Sequence, residues 1–261
     1  MREGSDLRMD VQRATGPQVS VVVPMRDEAG NVAALAEAIL AALPGPDIEV
    51  LLVDDGSTDG TRAIALDVAR RYPQLRVIGH DVSGGQSAAI HSGVLAARGA
   101  VIATLDGDGQ NPPSNLPALI APLRAADRDP RLALVAGNRV GRQDTLPRKL
   151  ASRFANALRS RVLNDGTRDT GCGLKAFDRA AYLALPFFNH QHRFLPALFV
   201  RDGWAVAHVD VTHAPRLAGQ SKYTNLGRAL VGISDLMGVA WLIRRRKRAV
   251  PHDLTAAELR T

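Results

Sequence analysis

Two carboxylates, Asp106 and Asp108, follow directly on a run of apolar and β-prone residues, 101–105. The run predicts a buried strand, and open α/β sheets bind their ligands at the carboxyl ends of the strands. Two carboxylates this close repel each other unless a cation lies between them, and Mg²⁺ or Mn²⁺ suits hard oxygen ligands of this kind. Gln110 adds a neutral oxygen two residues further on. Asp106, Asp108 and Gln110 are therefore the candidate metal ligands.

A surface turn is the alternative interpretation of these residues, because Asp and Gly are favoured in turns and short motifs often match by chance. A second acidic site reverses that preference. Asp54 and Asp55 follow the apolar run 48–53, and Glu28 follows a first apolar run that is stopped by Pro24. Polar groups thus follow three predicted strands, which is typical of a ligand site at one edge of a sheet.

A glycine-rich turn, residues 83–86, precedes the predicted helix 87–98. The free N–H groups and the dipole of a helix N-terminus attract anions. Gly85 is therefore a candidate contact for an anionic group of the ligand. A plain glycine loop that leads into a helix explains the same residues equally well.

Strand-like and helix-like segments alternate from residue 19 to residue 136, which predicts an α/β fold with a mainly parallel sheet and helices on both faces. The second half is less regular and includes a polar loop at 216–223 and a tight loop at 169–173. The predicted strands are 19–24, 48–53, 75–78, 101–105, 132–136 and 205–213. The predicted helices are 32–43, a segment capped by Thr58 or Asp59 that ends near residue 72, 87–98, 116–125, a basic helix at 147–163, 194–200 and 226–243.

The composition excludes several classes of protein. A hydrophobic content of 46% over 261 residues supports a sizeable core and excludes a wholly disordered chain. The single cysteine, Cys172, excludes an internal disulfide framework and a Cys/His metal cluster, and it fits a reducing compartment. Residues 1–17 have no apolar run of the kind that a signal peptide needs.

The net charge of +7 does not predict a nucleic-acid partner. Five of the positive charges belong to one cluster, residues 244–248, and the rest of the chain is nearly balanced. Aromatic residues make up only 4%, and no basic strand interleaved with aromatics is present in the sequence. The basicity is therefore a local patch, whereas a nucleic-acid-binding domain has a basic face.

The last predicted helix, 226–243, carries apolar residues at intervals of three or four and runs into the basic cluster. Arg228 and Asp235 interrupt it, so it falls short of the roughly 20 apolar residues that a membrane span needs. An apolar stripe beside a tryptophan and a basic run resembles an amphipathic helix on an anionic membrane surface. The alternative is an ordinary packed helix with a solvated basic end. The residues of the stripe are Leu230, Ile233, Met237 and Trp241.

In chain order, these motifs resemble those of the family 2 inverting glycosyltransferases, which have the GT-A fold, a Rossmann-like domain that binds nucleotide-diphospho-sugars. The matching stretches are Val-Val-Val-Pro at 21–24 with Glu28, Val-Asp-Asp-Gly-Ser-Thr-Asp at 53–59, Asp-x-Asp-x-Gln at 106–110, and Arg-x-x-Gly-x-Ser-Lys-Tyr at 216–223. The last two are similar to those of the dolichyl- and polyprenyl-phosphate sugar synthases. The resemblance covers about residues 18–225.

The resemblance implies an enzyme that transfers a sugar from a nucleoside-diphosphate sugar, GDP-mannose or a UDP-hexose, to a polyprenyl or dolichyl phosphate. Mg²⁺ or Mn²⁺ would be the cofactor. A phosphate acceptor is largely ionised near neutral pH and needs no strong general base. Direct in-line attack by the phosphate would invert the anomeric centre.

The resemblance also assigns roles by position. Asp106, Asp108 and Gln110 would hold the metal against the diphosphate, and Pro24, Glu28 and Asp55 would line the pocket for the base and ribose. Arg139 and Arg153 would meet the acceptor phosphate, and Arg216, Ser221 and Lys222 would close over the diphosphate as a mobile loop. The polar run that contains His190, His192 and Arg193 would either line the acceptor or sugar pocket or have a structural role.

The sequence departs from the family pattern in two ways. Asp27 stands where family members usually have Asn. Many bacterial members carry two C-terminal transmembrane helices, and none is predicted here. Eukaryotic-type members without such helices rely on a separate membrane subunit, so the resemblance implies a membrane-protein partner and a peripheral, cytoplasmic position on the inner face of the cell membrane.

The predicted organisation is a disordered tail at 1–17, a GT-A domain at 18–225, a membrane-surface or partner helix with its basic end at 226–248, and a tail at 249–261. Three alternatives compete with the lipid-phosphate transferase. A family 2 enzyme acting on a saccharide hydroxyl would need a base, and the 216–223 loop argues against it. A sugar-phosphate nucleotidyltransferase would have a Gly-rich signature after the first strand, where Pro24-Met-Arg-Asp-Glu28 stands. The third alternative is a non-enzymatic basic binding protein.

Overall fold

The fold is organised around one seven-stranded sheet. The computed structural model describes residues 16–140, 171–214 and 225–246, with Arg159, Leu163, 165–167, Asp169 and Ala249, and it describes the side chains of the last helix from Gly232 onward. The order of strands across the sheet is β3-β2-β1-β4-β6-β5-β7. The strands are β1 (Val19–Met25), β2 (Ile48–Asp55), β3 (Leu75–His80), β4 (Val101–Thr104), β5 (Leu132–Arg139), β6 (Lys175–Asp178) and β7 (Ala205–Val211).

Helices cover both faces of this sheet, as the alternating sequence pattern predicts. They are α1 (Val32–Ala42), α2 (Thr61–Arg71), α3 (Gln86–Ala96), α4 (Leu116–Arg124), α5 (Arg179–Leu183), α6 (Leu195–Arg201) and α7 (Asn225–Arg244). Two short 3-10 helices, Pro113–Asn115 and Gln191–Arg193, precede α4 and α6.

The strands separate two hydrophobic cores. Successive side chains of a strand point to opposite faces, so Val21 and Val23 enter one core and Val22 enters the other. Residues of α1, α2 and α4 complete the first core, and residues of α3, α5, α6 and α7 complete the second. Because both faces are covered, β1 and β2 are nearly continuous apolar runs, as is typical of buried parallel strands.

The direction of winding reverses at the centre of the sheet. From β1 the chain moves outward to β2 and β3, and then returns to place β4 on the other side of β1. All neighbouring strands are parallel except β6, which runs antiparallel between β4 and β5. The carboxyl ends of β1 and β4 therefore border the point where the direction of winding reverses, which is the usual ligand site of such a sheet.

The observed bounds agree with the predicted elements to within a few residues, and the sheet contains one strand that the pattern does not predict. Neither β6 nor α5 is indicated by the sequence. The predicted cap of α2 is wrong in detail, because Gly60 occupies the cap position, although Asp59 accepts the N–H of Thr61 over 2.9 Å. Of the predicted helix 147–163, the described residues are Arg159 and Leu163, both helical.

Within the part of the chain that is described, no helix has the length and hydropathy needed to cross a membrane.

Candidate active site

Asp106 lies at the centre of the candidate site, in the turn that follows β4. Gln86 Nε2 donates to its Oδ1 over 2.7 Å, and Asn111 Nδ2 donates to its Oδ2 over 3.0 Å. Gly173 faces the carboxylate without a side chain, and a Cβ there would lie 2.3–2.4 Å from the two oxygens. Two amides and the backbone of a neighbouring loop thus hold the carboxylate in one orientation.

The negative charge of this turn is only partly compensated. Burial and the carboxylate of Asp108 raise the pKa of Asp106, and the nearby ammonium group of Lys175 offsets part of that rise. Lys175 is itself buried, donates to the backbone oxygen of Cys172, and has its pKa lowered by burial. Two adjacent carboxylates that disfavour each other's ionisation are the electrostatic setting in which a divalent cation binds.

Asp108 and Gln110 complete the turn. The N–H of Gln110 donates to Asp108 Oδ1 over 3.1 Å. Gly107 packs against the end of β1, where an added Cβ would lie 2.9 Å from the backbone oxygen of Pro24. The structure therefore brings Pro24 and the three candidate metal ligands together at one edge of the sheet.

Among the described residues, no three His, Cys, Asp or Glu side chains are grouped to enclose a metal ion. Asp106 and Asp108 instead offer a two-carboxylate site. Such a site fits Mg²⁺ or Mn²⁺ that is bound through one or two carboxylates and completed by water and substrate phosphates. The donor chemistry of the turn is thus compatible with the metal that the sequence predicts.

Asp55, at the end of β2, is buried and directs its carboxylate to the loop after β3. Ser83 Oγ donates to Oδ2 over 2.6 Å, the N–H groups of Gly84 and Gly85 donate to Oδ1 and Oδ2 over 2.8 Å each, and His80 Nδ1 lies 2.7 Å from Oδ1. Burial alone would raise the pKa of Asp55, but these hydrogen bonds lower it. Asp55 therefore fixes the loop that leads into α3.

The N–H of Gly85 is not open to a ligand in this structure, because Asp55 accepts it. Gly85 has φ +84° and caps α3. The anion at this helix N-terminus is a carboxylate of the chain itself. The predicted contact of Gly85 with an anionic group of the ligand would therefore not use this N–H, and it stays a prediction; the interpretation as a glycine loop before a helix also fits the geometry.

Glu28 and Asp27 lie in the loop after β1. Glu28 Oε2 accepts from Asn31 Nδ2 over 2.7 Å, and the N–H of Glu28 donates to Thr61 Oγ1 over 2.8 Å. Asp27, with φ +54°, accepts the N–H of Thr58 over 2.8 Å. Asp27 thus acts as an acceptor, a role that the side-chain oxygen of Asn can also fill.

Arg139, at the end of β5, forms a forked ion pair with Asp169. Its Nε donates to Oδ2 over 2.6 Å and its Nη2 donates to Oδ1 over 2.8 Å, and both side chains are mostly buried. Among the residues that the structure describes, Nη1 of Arg139 has no partner. The pair fixes the plane of the guanidinium group and leaves one amino group for a further anion.

Four candidate site residues, Arg153, Arg216, Ser221 and Lys222, lie outside the described residues. The chain is described up to Ala214, whose N–H donates to the backbone oxygen of Gln110 over 2.9 Å. The polar loop predicted at 216–223 therefore follows a residue that is hydrogen-bonded to the candidate metal-binding turn.

Several residues that build the site are missed by the motifs. Gln86 and Asn111 each adjoin a residue that the motifs mark, and that position is the signal that could have found them. Asp169 begins the predicted tight loop and Lys175 follows it, and the unpredicted strand β6 pairs Lys175 with Thr104, two residues before Asp106.

The comparisons with known proteins agree with this geometry. Residues 20–185 match the profile of the family described as Glycosyl transferase family 2. The chain belongs to glycosyltransferase family 2.

Two relatives of known function within this family are named for polyprenyl-phosphate substrates. The chain is 35% identical over 237 residues to dodecaprenyl-phosphate galacturonate synthase of Rhizobium johnstonii, covering 88% of this chain and 69% of that protein. It is 36% identical over 212 residues to undecaprenyl-phosphate 4-deoxy-4-formamido-L-arabinose transferase of Pectobacterium carotovorum, covering 80% and 63%. The chain thus spans about two thirds of the length of these relatives.

Solved structures confirm the GT-A fold for this family 2 chain. Glucosyl-3-phosphoglycerate synthase of Mycobacterium tuberculosis, in complex with Mn²⁺ and UDP-glucose, superposes with a TM-score of 0.65 at 22% identity over 86% of this chain and 79% of that one. The mainly parallel sheet with helices on both faces is therefore the nucleotide-sugar-transferase architecture that the sequence predicts.

Proposed function

We propose that this glycosyltransferase moves a sugar from a nucleoside-diphosphate sugar to a polyprenyl phosphate, with inversion at the anomeric carbon and with a divalent metal. The observation that carries the proposal is the Asp106–Asp108 turn at the switch point of the sheet, with the Arg139–Asp169 pair nearby. The names of the two bacterial relatives support the choice of a lipid phosphate as acceptor.

Asp106, Asp108 and Gln110 would hold Mg²⁺ or Mn²⁺. When bound, the metal would neutralise charge on the diphosphate leaving group. Gln86 and Asn111 keep the Asp106 carboxylate oriented, so little reorganisation is needed when the ligand arrives. The Mn²⁺ and UDP-glucose bound to the mycobacterial synthase support a metal and a nucleotide sugar for this fold.

The donor's base and ribose would lie in the pocket beside Pro24, Glu28 and Asp55. Because the Asp55 carboxylate is taken up by the 83–85 loop, we assign Asp55 to shaping this pocket through that loop. Gly85 has no side chain, so the donor could come close to the backbone at this position.

Arg139, with Arg153, would bind the acceptor phosphate. The forked bond to Asp169 holds the guanidinium plane, and Nη1 would donate to the acceptor phosphate. An oxygen of the acceptor phosphate then attacks the anomeric carbon, the bond from that carbon to the β-phosphate oxygen breaks, and the nucleoside diphosphate leaves. Arg216, Ser221 and Lys222 would close over the departing diphosphate.

The C-terminal helix α7 would bring the enzyme to its lipid substrate at the cytoplasmic face of a membrane. Ile233, Met237 and Trp241 recur every four residues on α7 and are 56%, 65% and 59% exposed. Arg244 and Arg245 stand exposed at the end of this stripe. An apolar stripe with a tryptophan and adjacent cations fits an anionic lipid surface. A small membrane-protein partner would use the same stripe.

A transfer assay tests the proposal. The protein is incubated with Mn²⁺, a panel of UDP- and GDP-sugars, and either undecaprenyl phosphate, undecaprenol or an oligosaccharide, and the products are identified by mass spectrometry. We expect sugar on the lipid phosphate alone. Asp108→Ala should abolish transfer, whereas Asp67→Ala, which removes an exposed carboxylate on α2, should not. Transfer to a hydroxyl, or full turnover by Asp108→Ala, would contradict the proposal.

A further inference from the structure

His192 is fixed to the first turn of α3 by two hydrogen bonds to one hydroxyl group. The N–H of His192 donates to Ser87 Oγ over 3.2 Å, and Nδ1 of its ring lies 2.7 Å from the same oxygen. Ser87 is buried, and 105 residues separate it from His192 along the chain. The contact therefore sets both the backbone of the Gln191–Arg193 turn and the orientation of the imidazole ring.

The same turn of α3 holds Asp106. Gln86, the residue before Ser87, donates to Asp106 Oδ1 over 2.7 Å. Two consecutive residues thus hold a candidate metal ligand on one side and an imidazole on the other. These two contacts place the imidazole beside the candidate active site, and Lys175 acts electrostatically on both Asp106 and His192.

The imidazole is neutral over the physiological range. Burial, with the charges of Lys175, Arg193 and His190, lowers the pKa of His192 to about 3. Ser87 Oγ accepts the N–H of His192, and we assign the hydroxyl proton to the bond with Nδ1, so that the hydroxyl both accepts and donates. The ring proton is then on Nε2, which has no partner among the described residues.

A rigid, neutral donor suits one class of ligand at this site. Phosphates are best bound by cations, and Arg139 supplies a cation nearby. A neutral N–H held in place by a buried serine offers direction without charge, which suits a sugar hydroxyl. Sites that hydrogen-bond a substrate hydroxyl reject analogues lacking it far more strongly than apolar pockets reject a change of size.

We infer that the Nε2–H of His192 donates to an oxygen of the transferred sugar, and that His192, oriented by Ser87, helps to determine which sugar the enzyme accepts. This inference rests on the proposed function, because it assigns the sugar subsite of the same donor.

The test separates binding of the sugar from binding of the nucleotide. Isothermal titration calorimetry in the presence of Mn²⁺ measures the binding affinities of three proteins: the wild type, His192→Phe and His192→Gln. The ligands are UDP, GDP, UDP-glucose, UDP-galacturonate and GDP-mannose. We expect His192→Phe to lower the affinity for the preferred nucleotide sugar by about 10- to 100-fold, which corresponds to a lost hydrogen bond of about 1.4–2.8 kcal/mol. The affinity for the free nucleoside diphosphate should not change. His192→Gln, which keeps a donor, should recover part of the loss.

Deoxy analogues of the preferred sugar identify the oxygen. The wild type should bind the analogue that lacks one particular hydroxyl more weakly than the intact sugar nucleotide, and His192→Phe should bind the two equally. Such coupling between the residue and one hydroxyl would not arise if the role of His192 were merely structural. Ser87→Ala should lose part of it by releasing the ring. His208→Phe is the control, since His208 is an exposed histidine on β7.

The inference would be overturned if His192→Phe lost equal affinity for the free diphosphate and for the nucleotide sugar. It would also be overturned if His192→Phe still preferred the intact sugar over the deoxy analogue as strongly as the wild type does. If His192→Phe does not fold, His192→Gln and Ser87→Ala answer the same question. The binding arms need no acceptor, so a failure to transfer sugar to lipid phosphate would refute the proposed function while leaving the role of His192 to these measurements.

Discussion

Gly173 leaves no room for a side chain beside the Asp106 carboxylate. The backbone there is held from both sides, because Thr104 Oγ1 donates to the Gly173 oxygen over 2.9 Å and Lys175 Nζ donates to the oxygen of Cys172. A Cβ at this position must therefore displace the carboxylate, since the loop cannot easily move.

Gly173→Ala should for this reason weaken Mn²⁺-dependent UDP binding while the protein remains folded. Isothermal titration with and without Mn²⁺ measures the effect, and we expect a loss of about tenfold or more, as is typical when a metal ligand loses its support. Gly238→Ala is the control, because an added Cβ there meets nothing within 4 Å. Unchanged Mn²⁺ dependence in Gly173→Ala would contradict the assignment of Asp106 as a metal ligand.

Asp55 links the pH dependence of stability to the loop before α3. Its pKa in the folded protein lies below the ordinary value of 3.8, so the stabilisation is fully present above that value and is lost as the pH falls through the folded pKa. Asp55→Asn should lower the free energy of unfolding at pH 7 by about 1.5–3 kcal/mol, the range for hydrogen bonds to a charged group.

Urea denaturation at pH 7 and at pH 3 measures this difference. The difference in the free energy of unfolding between wild type and Asp55→Asn should narrow at pH 3, which lies below the ordinary pKa of 3.8, because the unfolded wild-type chain is then mostly protonated and part of the stabilisation is lost. Asp67→Asn, at an exposed carboxylate on α2, serves as the control. A gap that stays constant between the two pH values would show that the charge of Asp55 is not what stabilises the loop.

At the scale of elements, the ends of β1, β2, β4 and β5 could be predicted from the sequence because each strand is an apolar run followed by polar residues. The strand β6 could not. It has four residues, Lys175–Asp178, with a charge at each end, and its partners β4 and β5 lie far away in sequence. Such a segment has no periodicity of its own, and tertiary pairing alone makes it a strand.

The missed strand explains the missed residues. The sequence motifs indicate functional groups that follow strands, because parallel strands place the residues after them at one edge of the sheet. An antiparallel strand brings the residues at and before its start to that same edge: Asp169 and Gly173 precede β6, and Lys175 is its first residue. The sequence therefore does not predict Asp169 as the partner of Arg139, although it predicts Arg139 itself as a site residue.

Arg139→Lys tests whether the fork between β5 and the 169–173 loop matters for the acceptor. Lysine keeps the charge but cannot donate to Asp169 and to a phosphate in one fixed plane. We expect kcat/KM for undecaprenyl phosphate to fall by about 10- to 100-fold, corresponding to one charge-assisted hydrogen bond, with little change in donor affinity.

Steady-state kinetics with each substrate varied in turn measures the effect. Arg131→Lys, in an exposed pair with Asp129, should behave as the wild type. An unchanged KM for the acceptor, or an equal fall in kcat/KM for the donor, would contradict the assignment of Arg139 to the acceptor site.

At the scale of the whole molecule, α7 is the element that we propose contacts a lipid surface. One side of α7 packs on the second core through Leu236, Val239 and Leu242, and the opposite side carries the exposed stripe. The helix can therefore bind a surface without unfolding any part of the domain.

Replacing Arg244, Arg245 and Arg246 by Gln should weaken binding to anionic liposomes. Each basic residue near such a surface is worth about 1 kcal/mol, so we expect a loss of roughly 100-fold at low salt. Co-sedimentation with phosphatidylglycerol vesicles measures it, and phosphatidylcholine vesicles show the part that does not depend on charge.

The matched control replaces Arg70, Arg124 and Arg131, three exposed arginines elsewhere, which changes the net charge by the same amount. A loss of equal size in the control would mean that net charge, and not the end of α7, governs the association. Undiminished binding by the α7 variant would refute the proposed membrane surface.

The position of β6 also affects the order in which the protein can assemble as it is synthesised. In the described sheet, β5 reaches the first four strands only through β6, although β5 is made first. A nascent chain that has left the ribosome as far as Arg139 can join β1, β2, β3 and β4, but β5 must wait, without a neighbouring strand, until Lys175–Asp178 has emerged. The segment between them, which includes Arg153 and Asp169, is thus complete before the sheet can close.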